Sequence, residues 1–277
     1  MGKQARTKNS RQSLIFEWLR PTLARLARRY GGWLLPVSIA LLLVAWETWA
    51  RRGGLTDVIL PPPSLVAARF ARAASDGSLL RHTTATLLEV IPGLLIGSSL
   101  ATLLGYLLAK SRTLERVLSP YLVASQAIPV VAIAPLLVIW LGPGIGSKIL
   151  ICALTVFFPI LVNTLVGLRA VPENLRDLMR SMQATPAQML RHLEIPAALP
   201  VFLGGLRVGA TLSVIAAVVG EFVAANRGLG FWINVARGQY DTALVFVAVF
   251  TLIALALSLY GLVVLAEKRL LRWRAGR

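Results

Sequence analysis

The sequence predicts an all-α, polytopic membrane protein with six transmembrane helices. Of its 277 residues, 56% are hydrophobic and only 15% are charged, and the mean hydropathy is +0.71. Soluble domains are typically about 45–50% apolar and about 25% charged. The single cysteine, Cys152, excludes a disulfide-rich secreted protein, and the apolar content excludes a disordered or fibrous chain.

The six predicted spans follow from length and hydropathy. A helix needs about 20 mostly apolar residues to cross a bilayer. Six stretches satisfy this requirement, and polar connections separate them. We place these spans at about 33–50, 87–109, 121–141, 149–168, 199–225 and 243–266. The predicted organisation is a basic N-terminal arm at 1–32, a transmembrane domain at 33–266 and a basic tail at 267–277.

The placement of the charges predicts the orientation. The chain has 29 Lys and Arg against 12 Asp and Glu. The arm, the tail and the connections at 110–120 and 169–198 all lie on one side of the predicted membrane and hold 20 of the 29 basic residues. Basic residues are enriched in cytoplasmic segments. Both termini are therefore expected in the cytoplasm, with the arm against anionic lipid rather than nucleic acid.

One connection on each side has helical character. On the outer side, 64–74 predicts a short surface helix that follows three prolines, with Ser64 as its N-cap. On the cytoplasmic side, 169–198 predicts two amphipathic helices with a turn near Gln183. Thr185-Pro186 starts the second helix, and Pro196 and Pro200 are expected to end it. The apolar residues of this loop either contact a partner protein or fold back on the spans, and their periodicity does not decide between these two arrangements.

Several motifs together resemble a known family. The cytoplasmic loop keeps the spacing of a Glu-Ala-Ala, Gly, Leu-Pro pattern, with other residues at most positions: Asp177-Leu178-Met179, Gln183 and Ile195-Pro196. Further matching strings are LPPPS (60–64), QAIPVVAIAP (126–135), WLGPGIGSK (140–148), FFPILVNT (157–164), GGLRVG (204–209) and VVGEFV (218–223). The chain resembles type I permeases of binding-protein-dependent ABC importers, in the nitrate/sulfonate/taurine branch. SQAIPVVAIAPLL, from Ser125, is most similar to permeases for riboflavin or pyrimidine precursors of thiamine.

The resemblance implies the partners. A dimer of cytoplasmic ABC ATPases would supply ATP and Mg, with no cofactor in this chain. An extracytoplasmic binding protein would deliver a small solute across the bacterial inner membrane. No internal repeat is evident, so a central pathway requires two chains, and a homodimer is expected. The alternatives are a sulfonate, taurine or nitrate importer and, from a different class, a stand-alone channel or secondary transporter. The residues implied in ATPase coupling are Asp177, Leu178, Met179, Arg180, Ser181, Met182, Gln183 and Ala184.

The residues themselves predict no enzyme. The string from Gly142 to Lys148 has the wrong spacing for a Walker A phosphate loop. His82 and His192 fall on opposite sides of the predicted membrane, so they cannot share a metal ion. No nucleophile and base occur together. ATP hydrolysis must therefore belong to a separate subunit.

Two further groups of residues stand out within the spans. Polar residues that could line a pathway are Ser125, Gln126, Asn163 and Glu221, although for Glu221 a structural hydrogen bond or ion pair is an equal alternative. Small residues at a spacing of four predict close helix packing, within or between subunits, at Gly93, Gly97, Gly105, Gly205 and Gly209.

Overall fold

The computed structural model describes residues 36–52 and 56–272, and these residues are organised into helices. The arm at 1–32, the start of the first span and the last residues of the tail lie outside the described residues. The helices are α1 (36–52), α2 (Pro63–Ser75), α3 (Ser78–Lys110), α4 (Arg112–Gln126), α5 (Val130–Leu141), α6 (Ile145–Arg169), α7 (Glu173–Ser181), α8 (Pro186–Met189), α9 (Ile195–Val223), α10 (Leu229–Gly238) and α11 (Thr242–Leu270).

The chain divides into two compact units, Met1–Leu65 and Val66–Arg277. Within the first unit, Glu47 on α1 accepts hydrogen bonds from the backbone N–H of Ser64 at 3.0 Å and from its hydroxyl at 2.8 Å. The prediction of Ser64 as an N-cap is therefore wrong. Helix α2 begins one residue earlier, and a carboxylate from α1 satisfies the free N–H of its first turn.

The core of the second unit is a layer of three helices. Helix α6 packs against α3 on one side and against α9 on the other. Fully buried Ala101, Val156 and Ile160 lie at the centre of this layer. The stripes of small residues face α6: a methyl group added at Gly97 would lie 2.5 Å from the carbonyl oxygen of Ala153. The backbones can approach this closely because glycine has no side chain.

Four of the described helices are long and apolar enough to cross a membrane, and a bent pair supplies a fifth candidate. The four are α3, α6, the continuous helix Pro186–Val223, and α11. The second span is longer than predicted, because α3 begins at Ser78 and has 33 residues. Helix α1 covers the described part of the predicted first span, which begins outside the described residues. Six complete spans are thus not established.

The predicted third span is a pair of helices bent by 93°. Helix α4 ends at Gln126, and α5 begins after Pro129. Proline lacks a backbone N–H and disfavours helical geometry in the residue before it, here Ile128. The predicted span over 121–141 is therefore not one continuous helix, and the bent pair remains a candidate for a broken span. Because α4 begins at Arg112, it also includes most of the connection expected between the second and third spans.

The sequence predicts that the helix beginning at Pro186 ends at Pro196 and Pro200. This prediction is wrong. The helix continues through a π-helical turn, Leu190–Glu194, into α9. Pro196 then lies in the first turn of α9. Pro200 lies inside α9, so neither proline ends the continuous helix.

Helix α10 is an element that the sequence did not predict, because its ten residues fall between two long apolar runs. Asp241, which follows it, caps α11 by accepting the N–H of Leu244 at 3.0 Å. The other carboxylate oxygen of Asp241 accepts a hydrogen bond from Arg69 Nε on α2 at 2.9 Å. Helices α2 and α11 are thereby joined at one end of the unit.

Candidate functional site

Helix α7 carries its charged and apolar side chains on opposite faces. Arg176 faces the body of the protein and donates a hydrogen bond to the carbonyl oxygen of Leu168 at 2.7 Å. We call the opposite side, formed by Leu175, Leu178 and Met182, the apolar face of α7. Its side chains are 39%, 56% and 70% exposed. This geometry disfavours the alternative in which these residues fold back on the spans.

A tight turn follows α7. The N–H groups of Met182, Gln183 and Ala184 donate to carbonyls of the last helical turn at 2.9–3.1 Å. Gln183 has φ 57°, in the left-handed region that favours glycine. It lies at the position where the family pattern has Gly, and it adopts the conformation that a glycine would adopt.

The second helix of this loop starts with a reciprocal cap. Gln188 donates its backbone N–H to the hydroxyl of Thr185 at 3.3 Å, and its side chain accepts the backbone N–H of Thr185 at 2.8 Å. A capping box of this kind satisfies two free N–H groups at a helix start. The coupling residues 177–184 thus lie on one helix–turn segment with defined geometry at both ends.

The four predicted pathway residues do not share one surface. Ser125 and Gln126 are exposed at the end of α4, just before the bend. Asn163 donates to the carbonyl oxygen of Pro159 at 2.7 Å and packs against Gly205. On α9, Glu221 lies 16 residues beyond Gly205, which is about 24 Å at the rise of an α-helix.

Glu221 is 1% exposed and belongs to a buried hydrogen-bond network. One of its carboxylate oxygens accepts the Thr86 hydroxyl at 2.7 Å, and the other accepts the N–H of Gly230. The Thr86 oxygen in turn accepts the N–H of Leu229 at 2.9 Å. These contacts join α3, α9 and the start of α10, and they favour the structural alternative for Glu221 over a pathway-lining role.

A buried ion pair extends this arrangement, which we call the Glu221 network. Lys148 Nζ lies 3.3 Å from Glu89 Oε1, and both side chains are about 5% exposed. The Glu89 and Glu221 carboxyl groups also interact with each other. Two carboxyl groups and one ammonium group therefore share the interior between α3, α6 and α9. Glu89 and Lys148 also line a cavity of about 490 Å³ with Arg81, Asn226 and Arg227 at its edge.

Sequence reasoning missed Glu89 and Lys148. Lys148 was assigned to a connection, but it lies inside α6 and is buried. Glu89 lies three residues inside the predicted second span, and an ionisable residue within an apolar run was the available signal. Within residues 36–52 and 56–272, no group of three His, Cys, Asp or Glu residues is placed to hold a metal ion.

Comparison with known proteins identifies the family. Residues 93–272 match the family described as binding-protein-dependent transport system inner membrane component. The chain belongs to this family. The permease subunits of this family are transport components, so the chain is a multi-pass membrane permease and not itself an enzyme.

Individual relatives agree with this assignment. The riboflavin transport system permease protein RibX of Chloroflexus aurantiacus is 49% identical over 241 residues, which are 87% of this chain and 90% of the relative. The formylaminopyrimidine transport permease protein ThiX of Halalkalibacterium halodurans is 38% identical over 84% of this chain and 93% of its own length. The taurine transport system permease protein TauC of Escherichia coli is 33% identical over 85% of this chain and 88% of its own length.

A solved structure supports the fold of this permease. The crystal structure of an amino acid ABC transporter with histidines contains a chain that aligns with a TM-score of 0.57 and 19% identity. The alignment covers 72% of this permease and 97% of that chain. At this identity the similarity concerns the fold alone.

Proposed function

We propose that this permease forms a homodimer that imports a small solute, driven by two cytoplasmic ATPase subunits and supplied by an extracytoplasmic binding protein. The observation that carries the proposal is the apolar face of α7. A helix outside the spans that turns Arg176 inward and exposes two leucines and a methionine is suited to docking against another protein. Coupling through Asp177–Ala184 follows from that docking.

The proposed orientation places this segment in the cytoplasm. The predicted topology puts 20 of the 29 basic residues on the same side of the membrane as α7, which is the expected distribution for a cytoplasmic side. The Glu221 network then lies toward the outer side. We propose Ser125 and Gln126 as pathway residues, because they are polar, exposed and next to the bend of a broken span. Broken helices commonly form solute sites in transporters.

For the substrate we propose riboflavin or a pyrimidine precursor of thiamine. The support is the higher identity to relatives named for riboflavin and formylaminopyrimidine transport than to the relative named for taurine transport. A sulfonate or taurine is the second candidate. A channel or secondary transporter is a further alternative, and it predicts solute flux in liposomes from this chain alone, without ATP.

The docking role is tested with the double variant Leu178→Asp/Met182→Asp. Two charges on the apolar face should abolish copurification of the ATPase and solute uptake, while the permease still inserts and purifies at the normal level. Gln188→Glu is the control, since it adds a charge to an exposed residue of the same loop away from that face. If the double variant retains its ATPase and its transport, the docking assignment is wrong.

The substrate is tested on the binding protein that copurifies with the full-length permease from its native membrane. Thermal shifts of that protein are measured with riboflavin, an aminopyrimidine and taurine. We expect a shift with riboflavin or the pyrimidine. A shift with taurine alone would favour the second candidate, and the absence of any binding protein or ATPase would contradict the transporter class.

A further inference from the structure

A second surface of the permease combines an apolar groove with a basic cavity. The groove lies between α3 and α9 and has a volume of about 590 Å³. Leu103 and Tyr106 form one wall, Leu199 and Phe202 form the other, and Leu168 of α6 lies at one end. Leu103 is 58% exposed, so the groove is open to its surroundings. Both walls belong to helices that are long and apolar enough to cross a membrane.

Three of the five hydroxyl side chains that line the groove, those of Ser98, Thr102 and Thr164, already donate hydrogen bonds. The hydroxyls of Thr102 and Thr164 donate to carbonyls of their own helices at 2.6 and 2.7 Å. The Ser98 hydroxyl does the same at 3.1 Å. No donor among these three is left for a polar solute. An acyl chain is the occupant that matches such a surface, since it makes no demand for hydrogen bonds.

Leu168 also lines a second, smaller cavity of about 170 Å³ whose lining is charged. Its ionisable side chains are Lys110, Arg176, Arg180 and Glu194. Three cations thus surround one carboxylate. Asp177 holds Arg180 in an exposed ion pair, and such a pair contributes little because water screens it. The cavity retains an excess of positive charge.

Two buried atoms of this cavity have no hydrogen-bond partner, and they differ in kind. Arg176 Nε is a donor, and Glu194 Oε2 is an acceptor. Other atoms of the same side chains are bonded: Arg176 Nη2 donates to the carbonyl oxygen of Leu168, and Glu194 Oε1 accepts from Lys110 at 2.7 Å. A ligand that satisfies both atoms must offer an acceptor and a donor. Buried groups left without partners are costly.

The cavity also lies at the depth of lipid headgroups. Lys110 is the last residue of α3, and Leu168 is the penultimate residue of α6, so the cavity lies where two spans end. Basic cavities between transmembrane helices at this level are suited to anionic headgroups. This argument uses only the ends of the spans and does not depend on the proposed substrate.

We propose that the groove and the cavity together bind one anionic phospholipid of the phosphatidylglycerol type. One acyl chain lies between Leu103 and Phe202. The phosphate accepts from Arg176 and Arg180, and a glycerol hydroxyl donates to Glu194. The lipid would thereby support the inward face of α7, opposite to the apolar face that we assign to the ATPase.

The test uses native mass spectrometry of the full-length permease, extracted from vesicles with equal amounts of phosphatidylglycerol, phosphatidylethanolamine and phosphatidylcholine. We expect phosphatidylglycerol to be retained preferentially. Arg176→Gln should reduce that preference about tenfold, the usual effect of losing one charge-assisted hydrogen bond. Arg191→Gln is the matched control, because it removes the same charge from an exposed residue of the same loop that does not line the cavity.

A second pair of variants tests the groove with all charges intact. Ser99→Trp fills the groove and should displace the lipid, whereas Leu100→Trp on the neighbouring lipid-exposed face should not. Glycerophosphoglycerol, the headgroup without chains, should not compete. Equal retention of the three lipids, preferential retention of phosphatidylethanolamine, or displacement by the free headgroup would each overturn the proposal.

Discussion

Gln183 bears the conformational cost of the turn after α7. Its φ of 57° brings Cβ close to its own carbonyl, a conformation that costs roughly 1–2 kcal/mol for residues with a side chain. The turn nevertheless forms, because three N–H groups are bonded back to α7 and Thr185 starts a capped helix immediately afterwards. Its local hydrogen bonds hold a non-glycine residue in place.

Substitutions at this turn should separate strain from simple flexibility. Gln183→Ile should lower stability by roughly 1–2 kcal/mol, since β-branched residues tolerate positive φ poorly. Gln183→Gly should not lower the stability. Ala184→Gly is the control: Ala184 is not among the described residues with positive φ, so it should lose stability through chain entropy. Thermal unfolding of the purified permease measures all three, and an equal loss in the two glycine variants would refute the strain argument.

Lys148 is the one cation in the described contacts of the Glu221 network. Lys148→Met should destabilise the permease by roughly 3–5 kcal/mol, because it leaves buried carboxyl groups without a counter-charge. The double variant Lys148→Met/Glu89→Gln should recover part of the lost stability. Arg81→Gln, at the exposed edge of the same cavity, should have little effect. The yield of folded protein after mild heating is the measurement, and a Lys148→Met protein as stable as the parent would exclude the ion pair as a stabilising contact.

At the scale of helices, the contacts of α3 and α9 with α6 determine how tightly the second unit packs. The side chain of Asn163 packs against Gly205, and that of Ile160 packs against Gly209. Each small residue leaves room for a larger one on the facing helix. The helix layer therefore depends on single positions where even a methyl group does not fit.

Gly97→Ala tests this close packing. The added methyl would lie 2.5 Å from a backbone oxygen of Ala153, which cannot move without shifting α6. Overpacking of this kind costs roughly 1–3 kcal/mol. The matched control is Gly261→Ala on α11, where no atom lies within 4 Å of the added methyl. The control should be neutral or slightly stabilising, because alanine favours helix. Equal thermal stability of both variants would contradict this packing.

Sequence patterns located the long helices because burial in lipid makes the whole run apolar. They failed where one residue decides the backbone path. Pro129 breaks the third span, whereas Pro196, directly after the π turn, does not end its helix. Periodicity predicted the helices on both sides of Gln183. It did not place Lys148 beside Glu89, because these residues are 59 positions apart in sequence and only the packing of α3 on α6 brings them together.

For the whole molecule, the orientation in the membrane is tested by cysteine labelling. Cys152 is the only cysteine and is buried, so it can be replaced by Ala to give a cysteine-free parent. A cysteine at Arg227 should react with an impermeant maleimide in intact cells. A cysteine at Arg191 should react only after the membrane is permeabilised. The opposite pattern would reverse the orientation that we propose.

The continuous helix Pro186–Val223 has a mechanical consequence. Its 38 residues extend for about 57 Å, from the capped start beside the turn of α7 to the carboxylate that holds α3 and α10. The π-helical turn at Leu190–Glu194 is the place where this helix bends most easily. A tilt of about 5° beyond that point moves the far end by roughly 4 Å, more than the length of a hydrogen bond. Because Thr86 lies on α3, a tilt of α9 that α3 did not share would separate Glu221 from Thr86.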